Sequence, residues 1–428
     1  MEKAYNKRLI EAAYGCWLAG AGRLQRRERL KRYTYGDQWG DIIRDHDGRA
    51  VREGDAIAAS GREPLTNNLI RRLVKTIVGR YRSLRPDWRK ENPLPGSIEE
   101  DNILDELDAR LLEEFLISGM AVQRVARESR NGVERVYIDN VSPARLFLNR
   151  FTDPRGNDIE MVGMMHDMSI HEVLARFGGR SRRRMDYLRA IYGVDALQQP
   201  ISADGLEFFT APAGRCRVFE MWTLDAIETT RRGMTEVTFA WRCRWLSPDG
   251  DLLDSYPSRW PHRSHPFIVK FYPMTDGEVH PFVEDVLDQQ RFINRLIVLI
   301  DKIMGASAKG VLLFPVEQKP KDFSWEEIGR RWSATDTIIP ITGRHSVVPS
   351  QVNTPAADCG AYKLLDIEMK LFNDVSGVSD ALLGKDQGGN GGTALYESRV
   401  HNSTIALADI FESFNSFIKL RDAKAAVL

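Results

Sequence analysis

Residues 281–305 read PFVEDVLDQQRFINRLIVLIDKIMG, a run with no proline or glycine inside it. Apolar side chains recur at positions 283, 286, 287, 293, 296, 297, 300 and 303. This spacing places most of them along one side of a helix. At a rise of 1.5 Å per residue the helix would be about 37 Å long. The run therefore predicts a long helix with a broad apolar face.

A second long helical run, Asp358–Leu383, follows after an insert of mixed character. The second run stops at a glycine cluster, residues 384–392, where the backbone is free to turn. A last helix is predicted from Thr393 almost to the end. We therefore expect two long helices packed against each other, with residues 306–357 as a compact α/β cap at their far end.

The part of the chain before these helices changes character along its length. Glu2–Tyr33, Leu69–Gly79 and Ser97–Gly119 have the composition and spacing of helices. Between Ala121 and Trp260, short alternating runs instead predict the strands of an antiparallel sheet. A helix with capping-box spacing, Ser169–Phe177, interrupts them. The whole pattern predicts an α+β fold that is mainly helical.

The composition limits the classes of protein to which the chain can belong. Its 428 residues are 43% hydrophobic and 28% charged, which is enough for two or three domains with real cores. The formal net charge is +0, whereas proteins that hold DNA tightly over a large surface are usually basic. Any contact with DNA is therefore expected to be loose or local.

The cysteines and apolar runs predict a chain that is made in the cytoplasm and does not enter membranes. No two of its cysteines have C-x-x-C spacing: Cys16, Cys216, Cys243 and Cys359. They are therefore expected to be reduced thiols. The first residues lack the apolar core of a signal peptide. The longest strongly apolar run, Leu296–Ile300, is far too short to cross a bilayer.

None of the motifs that could support catalysis or metal binding is complete. The glycine cluster resembles the end of a P-loop, but Asp386 stands where Ser or Thr must hold magnesium. A zincin-like start at His171 lacks its second histidine, because Ala175 stands there. Three loosely grouped histidines are interpreted as ordinary surface or turn residues: His262, His265 and His280. We expect no enzymatic activity, no metal and no cofactor.

Two groups of basic residues have more than one interpretation. The first could bind phosphate, or could be a solvated or salt-bridged surface: Arg176, Arg180, Arg182, Arg183 and Arg184. The second lies in the insert near Trp325 and Trp332: Lys319, Lys321, Arg330 and Arg331. Arginine with exposed tryptophan is typical of protein contact surfaces. The alternative for this second group is a small structural core with a charged rim.

Several segments, taken in order, resemble one family of proteins. They are an early aromatic turn (35–39), the loop and helix 64–79, the strand 219–222, the run 288–294 after 276–278, and 375–384 before the glycine-rich loop. In this order they resemble the portal proteins of tailed bacteriophages. The run Asp288–Asn294 with Asp276–Glu278 is the most specific match.

The resemblance implies a ring-forming structural protein of the phage head and a division of the chain. The expected regions are a wing (1–265), a first stem helix (266–305), a clip (306–357), a second stem helix (358–384), a tunnel loop (385–393) and a wing helix (394–428) leading to a short or missing crown. The ring is expected to be a dodecamer at one capsid vertex of the virion, built from chains made in the host cytoplasm. Its expected partners are double-stranded DNA in the channel, the terminase large subunit, the capsid protein and a head–tail adaptor.

The pattern and the resemblance together assign roles to three sets of residues. The tunnel loop and the helix after it would touch DNA through Lys385, Gln387, Asn390 and Arg399. The clip would meet the terminase and later the adaptor through Lys319, Lys321, Trp325, Arg330 and Arg331. The stems of neighbouring subunits would pack through Ile293, Ile297 and Ile300. For the loop, the alternative is a surface loop that faces outward.

Two other classes of protein compete with this interpretation. A head–tail adaptor or other structural virion protein would also be non-enzymatic, but adaptors are usually much shorter and lack two long stem helices. A DNA-processing enzyme, such as a nuclease or a motor, needs an acidic metal site or a P-loop. The sequence shows neither.

Overall fold

The computed structural model describes most of the chain. The described residues are 2–84, 94–130, 132–192, 208–212, 214–231, 234–258, 260, 264–309, 311–333, 339–342, 348–352, 360–378 and 405–428. They form two compact units, each assembled from separated parts of the sequence. The first unit comprises Met1–Tyr35, Ile70–Asp285 and Gly377–Leu428, and the second comprises Gly36–Leu69 and Val286–Ser376. Helices and antiparallel strands occur in both units, so the prediction of an α+β fold is confirmed.

The elements of the described residues are numbered along the chain. The helices are α1 (Glu2–Ala19), α2 (Ala21–Tyr35), α3 (Glu53–Ala59), α4 (Leu69–Leu84), α5 (Gly96–Asn102), α6 (Leu104–Ser118), α7 (Ile170–Phe177), α8 (Arg182–Tyr192), α9 (Phe282–Asp285), α10 (Leu287–Lys309), α11 (Trp325–Ser333), α12 (Ala361–Ser376) and α13 (Ala408–Ala426). The strands are β1 (Ile42–Arg44), β2 (Ala50–Arg52), β3 (Met120–Arg130), β4 (Val133–Asn140), β5 (Leu146–Leu148), β6 (Met161–Met168), β7 (Cys216–Arg231), β8 (Met234–Leu246), β9 (Leu252–Pro257), β10 (Phe267–Phe271), β11 (Met274–Thr275), β12 (Glu278–Val279), β13 (Val311–Leu313) and β14 (Ser350–Val352).

The first unit contains two larger antiparallel sheets. One has the strand order β5-β6-β7-β8-β9 and the other the order β10-β3-β4. The alternating runs between Ala121 and Trp260 were predicted to share one sheet, and this was wrong. The strand β3 pairs with β4 and with β10, which lies beyond the predicted region. Pairing between strands that are far apart in sequence leaves no local signal, so the pattern could not reveal it.

Local sequence signals explain some helix boundaries in the first unit and miss others. The capping box of α7 is confirmed, because the Ser169 hydroxyl accepts from the Glu172 N–H and the Glu172 carboxylate accepts from the Ser169 N–H. The predicted helix Ser97–Gly119 is two helices, since Ile103 takes a left-handed conformation with φ 50°. The helix α8 occupies part of the polar, basic segment 178–214.

An aromatic core holds α1 against the five-stranded sheet. Ile10 and Ala13 on α1 are buried together with Phe147, Phe208 and Phe219. The rings of Phe208 and Phe219 stack with centroids 4.8 Å apart. Burial of apolar surface is the main favourable contribution to folding. This core therefore stabilises the N-terminal helix on the sheet.

A buried charge cluster joins the two sheets. Glu220 on β7 is fully buried, and its carboxylate accepts from Arg124 of β3 at 2.8 Å and from the Trp222 indole at 3.0 Å. The Nε2 atom of His166 lies 3.0 Å from the same carboxylate. Arg124 also pairs with Glu128 at 2.5 Å. Since removing one partner would leave a buried charge unpaired, the cluster constrains how β3 and β7 meet.

The C-terminal helix α13 is anchored by a buried arginine. The Arg421 guanidinium is fully buried and donates to both carboxylate oxygens of Asp108 on α6, at 2.8 and 3.1 Å. It also pairs with Asp422 at 2.5 Å. Phe414 and Phe417 on the same helix are fully buried. Charge pairing and apolar burial therefore act together to hold α13 in the first unit.

The second unit is built on a pair of long helices. As the two apolar runs predict, α10 packs against α12. The helix α10 begins at Leu287 rather than at residue 281, because the short helix α9 and a turn come first. The helix α12 ends at Ser376, since Gly377 takes φ +65°, a conformation that glycine adopts easily.

Further segments complete the second unit. The strand β13 pairs antiparallel with β14 in the predicted cap. Residues 339–342 of the same cap form no strand, and 334–338 lie outside the described residues. Residues 36–69, which the sequence suggested were part of the N-terminal region, belong to the same unit as α10.

Candidate functional site

Three segments singled out in the sequence meet within the second unit. They are the aromatic turn that contains Gln38, the loop that contains Asn67, and the first half of α10. Their meeting point is a buried group of side chains, here called the amide cluster: Gln38, Gln290 and Asn294. None of these three residues is more than 2% exposed.

Hydrogen bonds connect the amide cluster to the backbone of the loop. Asn294 donates to Gln38 Oε1 at 2.5 Å and accepts from the Asn67 N–H at 3.1 Å. Gln290 donates to the Asn67 carbonyl at 2.7 Å and accepts from the Leu69 N–H at 2.9 Å. A buried backbone group without a partner is costly, so these amides take the place of secondary structure. The cluster therefore specifies how residues 36–69 lie on α10.

Ion pairs extend the same contact along α10. Arg295 pairs with Glu53 at 2.6 Å, and the Glu53 side chain is only 9% exposed. Farther along the helix, Asp301 pairs with Arg62 at 3.0 Å. Exposed pairs contribute little free energy, whereas a partly buried carboxylate needs its partner. Residues 36–69 are therefore attached to α10 over several helical turns.

The three isoleucines predicted to join neighbouring subunits differ in exposure. Ile293 is fully buried within the chain, so its side chain is not available to another subunit. Ile297 and Ile300 are half-buried. For these two residues, the contact with a neighbouring subunit stays a prediction.

Both long helices carry apolar side chains that the chain itself leaves exposed. On α12 they are spaced by three, four and four residues, and are here called the apolar row: Leu364, Ile367, Leu371 and Val375. On α10 they are Phe292, Leu299 and Met304. A contiguous exposed apolar surface marks a contact site. Periodicity alone could not separate this row from the buried face, because both faces of the helix are apolar.

The predicted clip residues lie at the surface of the cap. Trp325 at the start of α11 is 48% exposed, while Ile328 is buried. The ring of Trp325 packs edge-on against Phe314 with centroids 6.1 Å apart. The Lys319 ammonium lies 5.5 Å from the centre of the Trp325 ring, and Lys321 is exposed. The structure therefore brings Lys319 and Trp325 together on an accessible surface.

Arg330 and Arg331 are tied to their own helix. Both pair with Glu327, at 2.5 and 2.9 Å. Hydrogen bonds from Arg331 and the nearby charge of Arg330 lower the pKa of Glu327. The Arg331 guanidinium also lies 4.4 Å from the centre of the Phe323 ring. Because Glu327 offsets part of their charge, the cap offers less free positive charge than its sequence suggests.

The residues predicted to line the channel lie outside the described residues. These are Lys385, Gln387, Asn390 and Arg399. The glycine cluster 384–392 lies there too. Their assignment to a tunnel loop stays a prediction.

Two further features bear on metal binding and on the membrane. His265 packs against Trp241 with ring centroids 4.6 Å apart, and burial lowers the pKa of His265 well below its ordinary value. Within the described ranges, no group of three or more His, Cys, Asp or Glu residues could hold a metal ion. In the same ranges, no helix is long and apolar enough to cross a membrane.

The basic run between residues 176 and 184 separates into two sets. Arg176 pairs with Glu128 at 2.8 Å and lies 4.1 Å from the centre of the Trp245 ring. Arg184 donates to the carbonyl oxygens of Phe177 and Leu253. The other three are exposed and form no ion pair with any described residue: Arg180, Arg182 and Arg183. The sequence could not distinguish the two arginines that contact other described residues, Arg176 and Arg184, from the three exposed ones.

These surfaces define a protein that works by assembling with other chains. A helical hairpin carries an exposed apolar row, and a small cap presents a half-exposed tryptophan beside a lysine. Both are the kinds of surface through which protein chains recognise one another.

Comparison with protein families makes this assignment specific. The model of the family described as Phage P22-like portal protein matches residues 96–423, about three quarters of the chain. The chain therefore belongs to the P22-like family of phage portal proteins, and the resemblance seen in the sequence is confirmed. Portal proteins are structural components of the virion that form oligomeric rings associated with the capsid. The chain matches none of the curated proteins with which it was compared.

Proposed function

We propose that this chain forms a dodecameric ring at one vertex of a phage capsid and that DNA passes through the centre of the ring. The ring takes part in genome packaging with the terminase large subunit, in retention and ejection of the DNA, and in attachment of the tail through a head–tail adaptor. Membership in the portal family supports this role. The regions named from the sequence, wing 1–265 through wing helix 394–428, are proposed parts of the ring.

The observation that carries the proposal is the exposed apolar surface of the helical hairpin. In the single subunit, Ile367 is 51% exposed and Leu371 is 42% exposed on one face of α12. A ring closes through heterologous contacts, in which one surface of a subunit meets a different surface of the next. In the proposed ring the apolar row of one stem packs against α10 of its neighbour, where Phe292 and Leu299 are exposed.

Electron microscopy of the purified chain tests the ring. Negatively stained particles should show rings with a central hole, and class averages should give the subunit number. Particles that stay single subunits at every protein concentration would contradict the proposal. Rings with a subunit number other than twelve would still support the proposed channel and would correct only the proposed stoichiometry.

The cap is the proposed surface for the terminase and later for the adaptor. This assignment rests on two observations. Trp325 is exposed with the Lys319 ammonium over its ring, and Lys321 is exposed in the same segment. The double variant Lys321→Glu with Trp325→Ala should form normal rings but lower the yield of DNA-filled heads at least about tenfold, as expected when a central aromatic contact is lost. A matched control on the first unit is Arg155→Glu, at an exposed loop position. Normal packaging and normal tail attachment in the double variant would contradict this assignment.

A further inference from the structure

The hairpin formed by β7 and β8 extends beyond the sheet to which it belongs. Pairing of β6 with β7 stops at Thr223, and pairing of β9 with β8 stops at Arg242. The ladder between β7 and β8 continues to the pair Arg231–Met234. Residues 225–231 and 234–240, here called the β-arm, therefore pair with no third strand among the described residues. At about 3.3 Å per residue the β-arm reaches roughly 23 Å past the sheet.

Apolar and acidic side chains share the surface of the β-arm. Val237 and Phe239 are two residues apart on β8, so they point to the same face, and Glu228 lies directly opposite Val237. Phe239 is 61% exposed and Val237 is 52% exposed. Ile227 and Glu236 are exposed on the other face. Neither glutamate forms an ion pair with any described residue.

A two-stranded hairpin of this kind is not expected to stand alone in water. Isolated hairpins are at best marginally stable, and unpaired strand edges with exposed apolar side chains invite association. The long ladder of the β-arm therefore indicates that another surface covers it in the assembled state. Since Val237 and Phe239 are apolar and Glu228 is acidic, that surface should combine apolar and basic groups.

Such a surface exists elsewhere in the first unit. The turn before α8 and the start of that helix carry three exposed arginines that form no ion pair with any described residue: Arg180, Arg182 and Arg183. Tyr187, on the same helix, is 49% exposed. Charge and apolar character here are complementary to the β-arm. The two surfaces are different parts of one chain, as a contact that closes into a ring requires.

We propose that the β-arm of one subunit binds the α8 surface of the next, with Glu228 facing Arg182 and Arg183 and with Phe239 packed near Tyr187. This inference rests on the proposed ring, because it supplies a second contact around it. It also gives the basic run a partner other than phosphate. The contact lies in the first unit and is independent of the apolar row on α12.

Charge exchange between the two surfaces tests the contact in the purified full chain. The single variant Glu228→Lys and the double variant Arg182→Glu with Arg183→Glu should each keep the circular dichroism and Tm of the subunit. Each should shift the subunit–ring equilibrium about tenfold towards free subunits, because like charges then face each other. When the two variants are mixed at random, about half of the contacts still bring like charges together, so the decisive sample is one chain that carries all three substitutions. In that chain, ring formation measured by mass photometry should return to within about twofold of wild type.

The controls distinguish the failure of this contact from the failure of the ring. Arg155→Glu with Glu160→Lys changes exposed charges of the same type elsewhere in the first unit and should assemble like wild type. If wild type forms rings and both variants do as well, or if the threefold variant is no better than either, the contact is wrong and the ring survives. If wild type forms no ring, both proposals fall.

A photocrosslinker gives an independent measurement. With p-benzoylphenylalanine in place of Phe239, a mixture of isotopically light and heavy subunits should give crosslinks between copies that map to residues 180–187. Crosslinks only within one copy, or to another surface of the second copy, would overturn the assignment. Crosslinks that appear only when capsid protein is present would name that protein as the occupant instead.

Discussion

Asn294 shows how much one buried side chain can control. Its amide donates to Gln38 and its carbonyl oxygen accepts from the Asn67 N–H and from Gln290. These partners belong to three separate segments of the second unit. An alternative packing of the segments would leave some of these groups unpaired, so the side chain contributes to specificity as well as to stability.

Replacing this residue should destabilise the subunit. We expect Asn294→Ala to lower the free energy of unfolding by about 2–4 kcal/mol, because several buried polar groups lose their partner at once. Urea unfolding of the unassembled subunit measures the change. Asp288→Ala on the same helix is the control, since the Asp288 side chain is 88% exposed. Equal stability of the two variants would show that the amide cluster does not hold the loop on α10.

Glu220 makes stability depend on pH. Burial opposes its charged form, but the charge of Arg124 and the hydrogen bonds from His166 and Trp222 outweigh burial and hold the pKa of Glu220 well below its ordinary value of 4.5. Burial also lowers the pKa of His166, and the hydrogen bond to Glu220 offsets only part of that effect. The contribution of Glu220 is therefore present above about pH 4.5 and is lost as the pH falls below it. Protonation of His166 in the unfolded chain acts in the same direction below its ordinary pKa of 6.5.

The variant Glu220→Gln should separate these effects. At pH 7 the variant should lose about 3–5 kcal/mol of unfolding free energy, because the buried Arg124 loses its fully buried partner. Below pH 4.5 the difference from wild type should shrink, since the wild-type carboxylate is then losing its own contribution. Urea unfolding from pH 7 to pH 3.5 measures both. Glu134→Gln, at an exposed pair with Arg127, should change stability by less than about 1 kcal/mol throughout. A difference that stays constant with pH would contradict the charge cluster.

At the level of helices and strands, prediction from sequence succeeded where the signal is local. The apolar spacing located α4, α10 and α12, and the Ser169 capping box located the start of α7. It failed where the determinant lies far along the chain, as with the pairing of β3 with β10. It also failed at Ile103, since nothing in the local pattern predicts a left-handed residue that divides a helix.

The two faces of the helical hairpin should respond differently to a charge. Ile293→Asp should unfold the second unit, since an unpaired charge would be buried at a fully covered position and costs about 4 kcal/mol or more. Ile367→Asp lies in the apolar row, so it should leave the Tm of the free subunit within about 2 °C and reduce ring formation. Thermal unfolding and sedimentation velocity measure the two effects. Wild-type assembly of Ile367→Asp would mean that neighbouring stems do not meet at α12.

The whole molecule has a formal net charge of +0, which suits a channel that lets DNA slide. Few neutralised phosphates give weak, salt-sensitive binding. Deleting Gly388–Gly392 from the proposed tunnel loop should leave rings and heads intact but lower the amount of full-length DNA retained, because the loop would no longer reach the DNA. Pulsed-field electrophoresis of DNA from purified particles measures the retained length. Wild-type DNA content would show that the loop faces outward, as the alternative requires.

The segments and charged residues of the candidate site could be recognised in the sequence, but the contacts that join them could not. The segments around Gln38, Asn67 and Asn294 were recognised as motifs, yet their joining into one buried cluster depends on contacts between distant residues. The charges of Arg330 and Arg331 were visible, whereas their pairing with Glu327 follows from helical geometry that a contact-surface interpretation overlooked. The sequence also could not predict which apolar residues are exposed. Ile293 and Ile367 look alike in sequence, but only Ile293 is buried.

The division of the second unit between two distant parts of the chain has a consequence for its synthesis. Residues 36–69 leave the ribosome about 200 residues before Val286–Ser376, a delay on the order of 10–40 s at 5–20 residues per second. During that interval the backbone groups of Asn67 and Leu69 have no Gln290 or Asn294 to bind, and the segment stays open to chaperones and proteases. A nascent chain stalled before residue 286 should therefore be cut within residues 36–69, and one released after Ser376 should resist. The subunit is therefore most vulnerable to proteolysis during its synthesis, before the second unit has folded.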